Sequence, residues 1–260
     1  MQNDEAGISR GAVGTIAWTE RTGGVLTRPE RLALVPSLLG GVGDMVVGPV
    51  ATALRVNSGR RASLDPAVLV PPDSALARAA EVAAGDLLPP FLLNHSSRAY
   101  AWGAALGALD GVRFDREILY LAALFHDVGL TDPEAGRDFT TRSATAARAF
   151  LDQHGFSAAD REVVTNAIAL HHTPGVQQED GPEAYLMSSG AAVDVFGLRA
   201  HQLPTDVRST VADAHPRLGF KKQFTRLWRA ESKAVPGGRA QFLRRYALSD
   251  LTIRLAPFRG

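Results

Sequence analysis

Residues 113–129, RFDREILYLAALFHDVG, decide the fold class of this chain. Their apolar run is typical of a buried helix, and we expect that helix to stop near Gly129. His126 and Asp127 follow the run directly, so both polar groups are expected at the edge of the hydrophobic core. A buried carboxylate without a partner costs several kcal/mol, so a cationic group is expected beside Asp127.

Similar apolar segments occur on both sides of residues 113–129 along the chain. Apolar helical segments follow one another between prolines and glycines, and the alternation typical of strands is nearly absent. We therefore predict an all-α helical bundle. Its further helices are predicted in ALARAAEVAAG (75–85), FLLNHSSRAYAWGAALGAL (91–109), TRSATAARAFLDQHG (141–155), SAADREVVTNAIALHHT (157–173), EAYLMSSGAAVDVFG (183–197) and three C-terminal segments from residue 204 onward.

The first 75 residues have a different composition and are expected to form an extension that packs on the core. Residues 1–27 are predicted to be an irregular arm anchored by Trp18, and ERLALVPSLLG (30–40) to be a short helix. Residues 76–260 are expected to form one helical domain, with its functional core at about 85–200 and extra helices at the C-terminal end.

Composition excludes several classes of function. The chain has 28 Lys and Arg against 27 Asp and Glu, so its charge favours neither nucleic acid nor an anionic membrane as a partner. The absence of cysteine excludes disulfides, thiolate nucleophiles and Cys-based metal sites. The N-terminal residues lack a signal pattern and no stretch of about 18 uncharged apolar residues occurs, so a cytoplasmic protein is expected.

The basic and aromatic segment at 217–232 is expected to be an amphipathic helix with packed aromatics, although a nucleic-acid surface is the alternative.

Three other apolar segments also carry a histidine or an aspartate. His95, Asp194 and His171 interrupt them, and antiparallel helices could bring these side chains together with the His126-Asp127 pair. Helical bundles build metal sites in their cores in this way. Taken singly, each residue has a simpler explanation: a lone buried histidine is usually a hydrogen-bonded core residue, and Asp194 could be the ion-pair partner of an arginine.

The segments LLNHSSRAYAWG, LAALFHDVGL, AIALHHTPG and GAAVDVFG together resemble the HD-domain superfamily of metal-dependent phosphohydrolases and their relatives, and within it the cyanamide-hydratase-like branch. The resemblance covers roughly residues 85–200. It implies four metal ligands, which are His95, His126, Asp127 and Asp194. It also makes His171 a substrate-pocket residue. Because imidazole titrates near neutrality, His171 and His172 are the candidate catalytic residues. Asn94, Arg98 and Thr140 are the candidate substrate-binding residues, and Arg98 could instead orient Asp194 or Asp127.

Two positions depart from the branch. Thr140 stands where the branch has a glutamate, and a threonine cannot act as a carboxylate base. His172 stands where related sequences often carry a smaller residue. These departures point to a small substrate other than cyanamide, or to a diverged activity.

The predicted ligands define the expected chemistry. Two imidazoles and two carboxylates would neutralise one divalent transition metal, and an N/O set without sulfur suits Zn, Fe, Mn or Ni. We favour one ion because residues 132–150 contain no histidine, while a second ion held by His171 or His172 stays open. The bound ion would activate water and His171 or His172 would move the proton.

The sequence thus predicts a hydratase or hydrolase that adds water to a small carbon–nitrogen substrate such as a nitrile or cyanamide. A small apolar pocket is expected from Phe125, Phe139, Leu170 and Leu186. One alternative is a phosphohydrolase with Arg98, Arg137 and Arg142 around the phosphate. The other is a binding module without catalysis. The only partner expected is the small-molecule substrate, with a homo-oligomer left open.

Overall fold

The protein is described by a computed structural model in which residues 11–53, 59 and 62–258 are placed. These residues form helices, short 3₁₀ turns and two isolated β-bridges, with no β-strand among them, so the all-α prediction is confirmed. The α-helices are α1 (Ile16–Thr22), α2 (Arg28–Ala53), α3 (Ala75–Leu87), α4 (Pro90–Asp110), α5 (Arg116–Phe125), α6 (Phe139–Gln153), α7 (Ala158–Leu170), α8 (Pro182–Phe196), α9 (Thr205–Ala214), α10 (Phe220–Ala234), α11 (Arg239–Tyr246) and α12 (Ser249–Leu255).

Side-chain caps set several helix starts where the sequence predicts them. The hydroxyls of Ser74 and Ser157 accept hydrogen bonds from the first turns of α3 and α7. The end of α5 differs from the prediction, because the helix stops at Phe125 and a 3₁₀ turn, Val128–Thr131, follows. The His126-Asp127 pair therefore lies in the break between two helical segments, where the backbone turns.

The centre of the bundle is the antiparallel pair α4 and α8. A Cβ atom on Gly190 would lie 2.1 Å from the carbonyl oxygen of Ala99, and one on Gly103 would lie 2.7 Å from that of Leu186. These glycines therefore let the two helix backbones approach more closely than any side chain would permit. That close approach brings His95 of α4 and Asp194 of α8 within reach of each other.

The N-terminal extension is more helical than expected. Trp18 is fully buried in α1, and its indole N–H donates to Glu30 at 2.8 Å. The predicted short helix at 30–40 is part of the 26-residue helix α2, which also covers residues 41–53. Leu34 and Leu38 of α2 are buried. Residues 1–10 of the predicted arm lie outside the described residues.

The C-terminal helices close the bundle. Phe220, Phe224 and Trp228 are buried along one face of α10, which packs against α4, as expected for an amphipathic helix. Within the described residues, no helix combines the length and the apolar character that crossing a bilayer requires.

Candidate metal centre

Three of the predicted ligands meet at one point in the core. The Nε2 atoms of His95 and His126 are 3.2 Å apart. Asp127 Oδ2 lies 3.4 Å from the first of these nitrogens and 3.3 Å from the second. All three side chains are buried. Among the residues that the structure describes, this is the one group of at least three His, Asp or Glu side chains close enough to share an ion.

The same kind of backbone hydrogen bond orients the rings of two histidines. His126 and His171 are the C-cap residues of α5 and α7. Each ring turns back so that Nδ1 lies 2.7 Å from the carbonyl oxygen of Ala123 and 2.6 Å from that of Ile168, respectively. A carbonyl oxygen only accepts hydrogen bonds, so Nδ1 carries the proton. Nε2 of His126 then presents its lone pair to the point where the three ligand atoms meet, called the centre below, and Nε2 of His171 presents its lone pair from beside that point.

His171 lies beside the group of three, not within it. Its Nε2 is 3.6 Å from Asp127 Oδ1, and its ring packs edge-on against that of His126 at 4.8 Å between centroids. Burial and the neighbouring His126 lower the pKa of His171 to about 3. The imidazole is therefore neutral at ordinary pH, and its Nε2 lone pair is available.

Asp194 lies behind His95. Its Oδ2 is 2.7 Å from His95 Nδ1, on the far side of the ring from the centre. Arg98 donates to both carboxylate oxygens at 2.8 and 2.9 Å, Arg217 donates to Oδ1 at 2.8 Å, and Trp102 donates to Oδ1 at 3.2 Å. Burial alone would raise the pKa of Asp194, but Arg98, His95 and Arg217 hold it well below its ordinary value.

Asp194 is predicted to bind the ion directly, but its carboxylate lies behind the His95 ring. Both of its oxygens accept hydrogen bonds from nitrogen donors, and one of those bonds fixes the His95 tautomer so that Nε2 faces the centre. Carboxylate–histidine–metal chains are built this way. The simpler explanation of Asp194, an ion pair with an arginine, is present as well. Its role as a direct ligand stays a prediction.

The residues present fit a divalent cation. Asp127 Oδ2 is buried and has no hydrogen-bond partner, although its carboxylate has a pKa held well below the ordinary value. A buried anionic oxygen without a partner is costly, and two nitrogen lone pairs converge on the same point. One ion held by His95, His126 and Asp127 satisfies all three groups, and the donor set suits Zn, Fe, Mn or Ni without choosing among them.

The centre opens into a cavity of about 580 Å³. The five residues His95, His126, Asp127, His171 and His172 form part of its wall. The rest comes mainly from α2, from one face of α8, from α10 to α12 and from the loop that follows His172.

The wall predicted from the sequence is wrong. Phe125, Phe139, Leu170 and Leu186 do not line the cavity, and they are buried in the core instead. Phe125, for example, packs on Phe150 at 5.3 Å between ring centroids. Adjacent helical residues point about 100° apart, so the neighbour of a site histidine generally faces elsewhere.

His172 does line the cavity. Neither of its ring nitrogens has a hydrogen-bond partner, and the side chain is almost fully buried beside Phe139 and Trp228. Burial and the nearby Arg239 lower the pKa of His172 well below its ordinary value, so the ring is neutral. Both nitrogens are themselves buried, and Nε2 lies 3.8 Å from Asp138 Oδ2, beyond hydrogen-bond distance.

The three predicted substrate-binding residues lie outside the cavity wall. Asn94 donates to the carbonyl oxygen of Pro216 at 2.7 Å, and Arg98 is engaged with Asp194. The hydroxyl of Thr140 donates to Asp138 Oδ1 at 2.7 Å and accepts from Arg239 at 2.9 Å. Each of these side chains is directed into a neighbouring element and not toward the centre.

Sequence reasoning missed Arg239, which is fully buried. Its guanidinium pairs with Asp138 at 3.1 Å and donates to the carbonyl oxygen of Ala169 at 2.6 Å and to Thr173 at 2.8 Å. Two of these bonds hold the residues on either side of the His171-His172 pair, Ala169 before it and Thr173 after it. The rule that a buried carboxylate needs a cation would have applied to Asp138, but nothing in the sequence indicates which arginine supplies it.

Fold and site together define a helical domain built around a buried histidine–aspartate centre. Residues 92–212 match the sequence profile of the HD domain, which confirms the resemblance seen in the sequence. Over 184 residues the chain is 26% identical to cyanamide hydratase DDI2 of Saccharomyces cerevisiae, an alignment that covers 68% of this chain and 81% of the yeast protein. Cyanamide hydratase DDI3 of the same yeast matches to the same extent.

Proposed function

We propose that this protein is a metal-dependent hydratase that adds water to a carbon–nitrogen multiple bond of a small molecule. The observation that carries the proposal is the unsatisfied Asp127 Oδ2, buried between the Nε2 atoms of His95 and His126 at the wall of a cavity. The similarity to the two yeast cyanamide hydratases supports the choice of reaction.

His95 Nε2, His126 Nε2 and Asp127 would hold the ion. When bound, a divalent ion would supply Lewis acidity and lower the pKa of water toward about 7 to 9. Asp194 keeps the His95 lone pair aimed at the centre through the hydrogen bond to Nδ1. The carbonyl oxygen of Ala123 does the same for His126.

His171 is the proton carrier in this proposal. Its Nε2 takes a proton from water and passes it to the substrate nitrogen. At rest Nε2 carries no proton, so its lone pair is available for this transfer. Hydration of a nitrile joins the water oxygen to carbon, breaks the carbon–nitrogen π bonds and leaves both protons on nitrogen. The product is the amide, and for cyanamide it is urea.

His172 completes the site as a substrate-binding group. The residue lines the cavity and both of its buried nitrogens lack a hydrogen-bond partner, so a rotation of the ring would let it accept a hydrogen bond from a substrate or donate one to it.

No observation favours phosphate as the substrate. The arginines proposed for that role are engaged elsewhere: Arg98 with Asp194, Arg137 with Glu134 at the surface, and Arg142 with Glu231. None of the three lines the cavity. Phosphoryl chemistry needs cationic groups that face the substrate.

The test loads the purified protein separately with Zn, Fe, Mn and Ni and measures urea from cyanamide and amide from nitriles. His126→Ala is expected to lose both metal and activity, and His171→Ala to lose activity alone. His154→Ala is the matched control, because His154 also caps a helix with Nδ1 on a carbonyl oxygen, that of Phe150 at 2.8 Å, but lies outside the cavity. Absence of hydration with every metal would refute the proposal. Phosphate release from phosphate esters would support the alternative.

A further inference from the structure

The cavity is far larger than cyanamide requires. Its volume of about 580 Å³ lies in the range of about 300–1,000 Å³ found for sites that enclose drug-sized ligands. Cyanamide has only three non-hydrogen atoms, and a single water molecule occupies about 30 Å³ of liquid. A site selected for cyanamide alone would leave most of this space unfilled.

The shape of the cavity is that of a groove along α8. Tyr185, Ser188, Ala192 and Phe196 recur at intervals of three or four residues and all line it. Residues at this spacing share one face of a helix. Eleven residue steps separate Tyr185 from Phe196 along α8, or about 16 Å at 1.5 Å per step.

The chemical character of the wall is mostly apolar. Away from the histidines, aliphatic and aromatic side chains dominate, among them Leu38, Val195, Trp228 and Leu243. Among the described lining residues, the one acid is Asp127 and the one guanidinium is that of Arg199, which is bonded to Asp110 at 2.7 Å and to Tyr185 at 2.9 Å. A charged group bound along the groove, away from the histidine–aspartate centre, would therefore lose its hydration without gaining a counter-charge.

We propose that the groove binds an elongated, uncharged and mostly apolar nitrile, whose chain lies along α8 while its carbon–nitrogen group reaches the histidine–aspartate centre. This proposal rests on the proposed function and adds the substrate class to it. His172 bonds the polar end of the molecule, and the alkyl chain removes the apolar wall from water.

The first experiment measures kcat/KM of the metal-loaded protein for linear nitriles from propionitrile to octanenitrile, with cyanamide alongside. Each methylene that enters the groove is expected to raise kcat/KM roughly fourfold, or about 60-fold from propionitrile to hexanenitrile. A change of less than about threefold over the same range would overturn the substrate class.

The second experiment shortens the groove. Ser188 is six residues from Asp194 along α8, or about 9 Å from the level of the metal centre. Ser188→Phe is therefore expected to reduce the ratio of hexanenitrile to propionitrile kcat/KM at least tenfold, with metal content and melting temperature checking that the variant folds. Val82→Phe is the control, because Val82 is 67% exposed on α3 and does not line the cavity. An unchanged ratio in Ser188→Phe would contradict the placement of the chain.

Binding separates this proposal from the proposed function. Isothermal titration of the metal-loaded protein with propionitrile and hexanenitrile reports affinity without catalysis. If neither nitrile is hydrated but hexanenitrile binds at least tenfold more tightly, the hydratase function fails and the groove assignment stands. If cyanamide is hydrated and chain length changes neither rate nor affinity, the function stands and this proposal fails.

Discussion

Replacing Asp194 by asparagine distinguishes a residue that orients His95 from a residue that binds metal directly. Asparagine keeps the shape of the side chain but puts an NH₂ group where one carboxylate oxygen was. If that group occupies the Oδ2 position, it faces the N–H of His95 Nδ1 and the Nη2 of Arg98, which are both donors. His95 can accept from the new amide only with its proton on Nε2, so binding an ion through Nε2 would require the proton to return to Nδ1 at the cost of that hydrogen bond.

The magnitudes follow from the bonds that are lost. Removing the carboxylate charge abolishes two hydrogen bonds to Oδ2, each worth about 1.5–3 kcal/mol in charged pairs. Arg98 and Arg217 are then left buried without a counter-charge, and breaking a buried ion pair costs about 3–5 kcal/mol of stability. A residue that only orients a ligand is worth about 10–100-fold in metal affinity.

The assay combines a chelator-competition titration for metal affinity with urea unfolding of the metal-free protein. Asp194→Asn is expected to bind metal about 10–100-fold more weakly than the unsubstituted protein, whereas His126→Ala is expected to bind none measurably. Trp102→Phe removes the 3.2 Å bond to Oδ1 but leaves the carboxylate with Arg98 and Arg217, so it gives a milder variant if Asp194→Asn does not fold. Loss of metal in Asp194→Asn as complete as in His126→Ala would show that Asp194 ligates directly and refute the reasoning.

Three further outcomes are expected. His171→Ala should retain metal within about tenfold while turnover falls about 10²–10⁴-fold, measured by metal stoichiometry and kcat on the same sample. Burial raises the pKa of Glu231 from 4.5 to about 7, so its contribution to stability is complete below pH 4.5 and is lost as pH rises through 7. Glu231→Gln should remove that loss, about 3 kcal/mol at most, from unfolding free energies measured between pH 4.5 and 8. Gly190→Ala places a Cβ 2.1 Å from the Ala99 carbonyl oxygen, so urea unfolding should show a loss of at least about 1–3 kcal/mol, and an unchanged midpoint would contradict the described packing of α4 on α8.

The residues of the site that the sequence predicted can be recognised from their immediate neighbours in the chain. An apolar run that ends in His126-Asp127 places two polar groups at the edge of a core, and the requirement for a cation follows from the cost of burying Asp127. His95 interrupts another apolar helix in the same way. These inferences need only the chain neighbours of each residue, and the three side chains do meet.

The parts that were missed depend on partners far along the chain. Arg217 reaches Asp194 across 23 residues, and Arg239 reaches Asp138 across 101. Each of these arginines looks like an ordinary surface residue in its own segment. The predicted wall failed for a related reason, because proximity to a histidine in sequence does not determine which face of a helix a side chain occupies.

The buried charges change the expected electrostatics of the centre. The sequence argument used Asp127 and Asp194 to neutralise a divalent ion, but the two guanidinium groups on Asp194 already balance both carboxylates. Histidines that bind an ion through Nε2 are uncharged and add nothing to this sum, so a bound ion would bring two positive charges that the surrounding residues do not compensate. An uncompensated ion in a low-dielectric site lowers the pKa of nearby water more strongly and favours negative charge developing on a substrate. Because Arg217 lies beyond the segment that matches the HD domain, this balance is set jointly by that segment and by the residues that follow it.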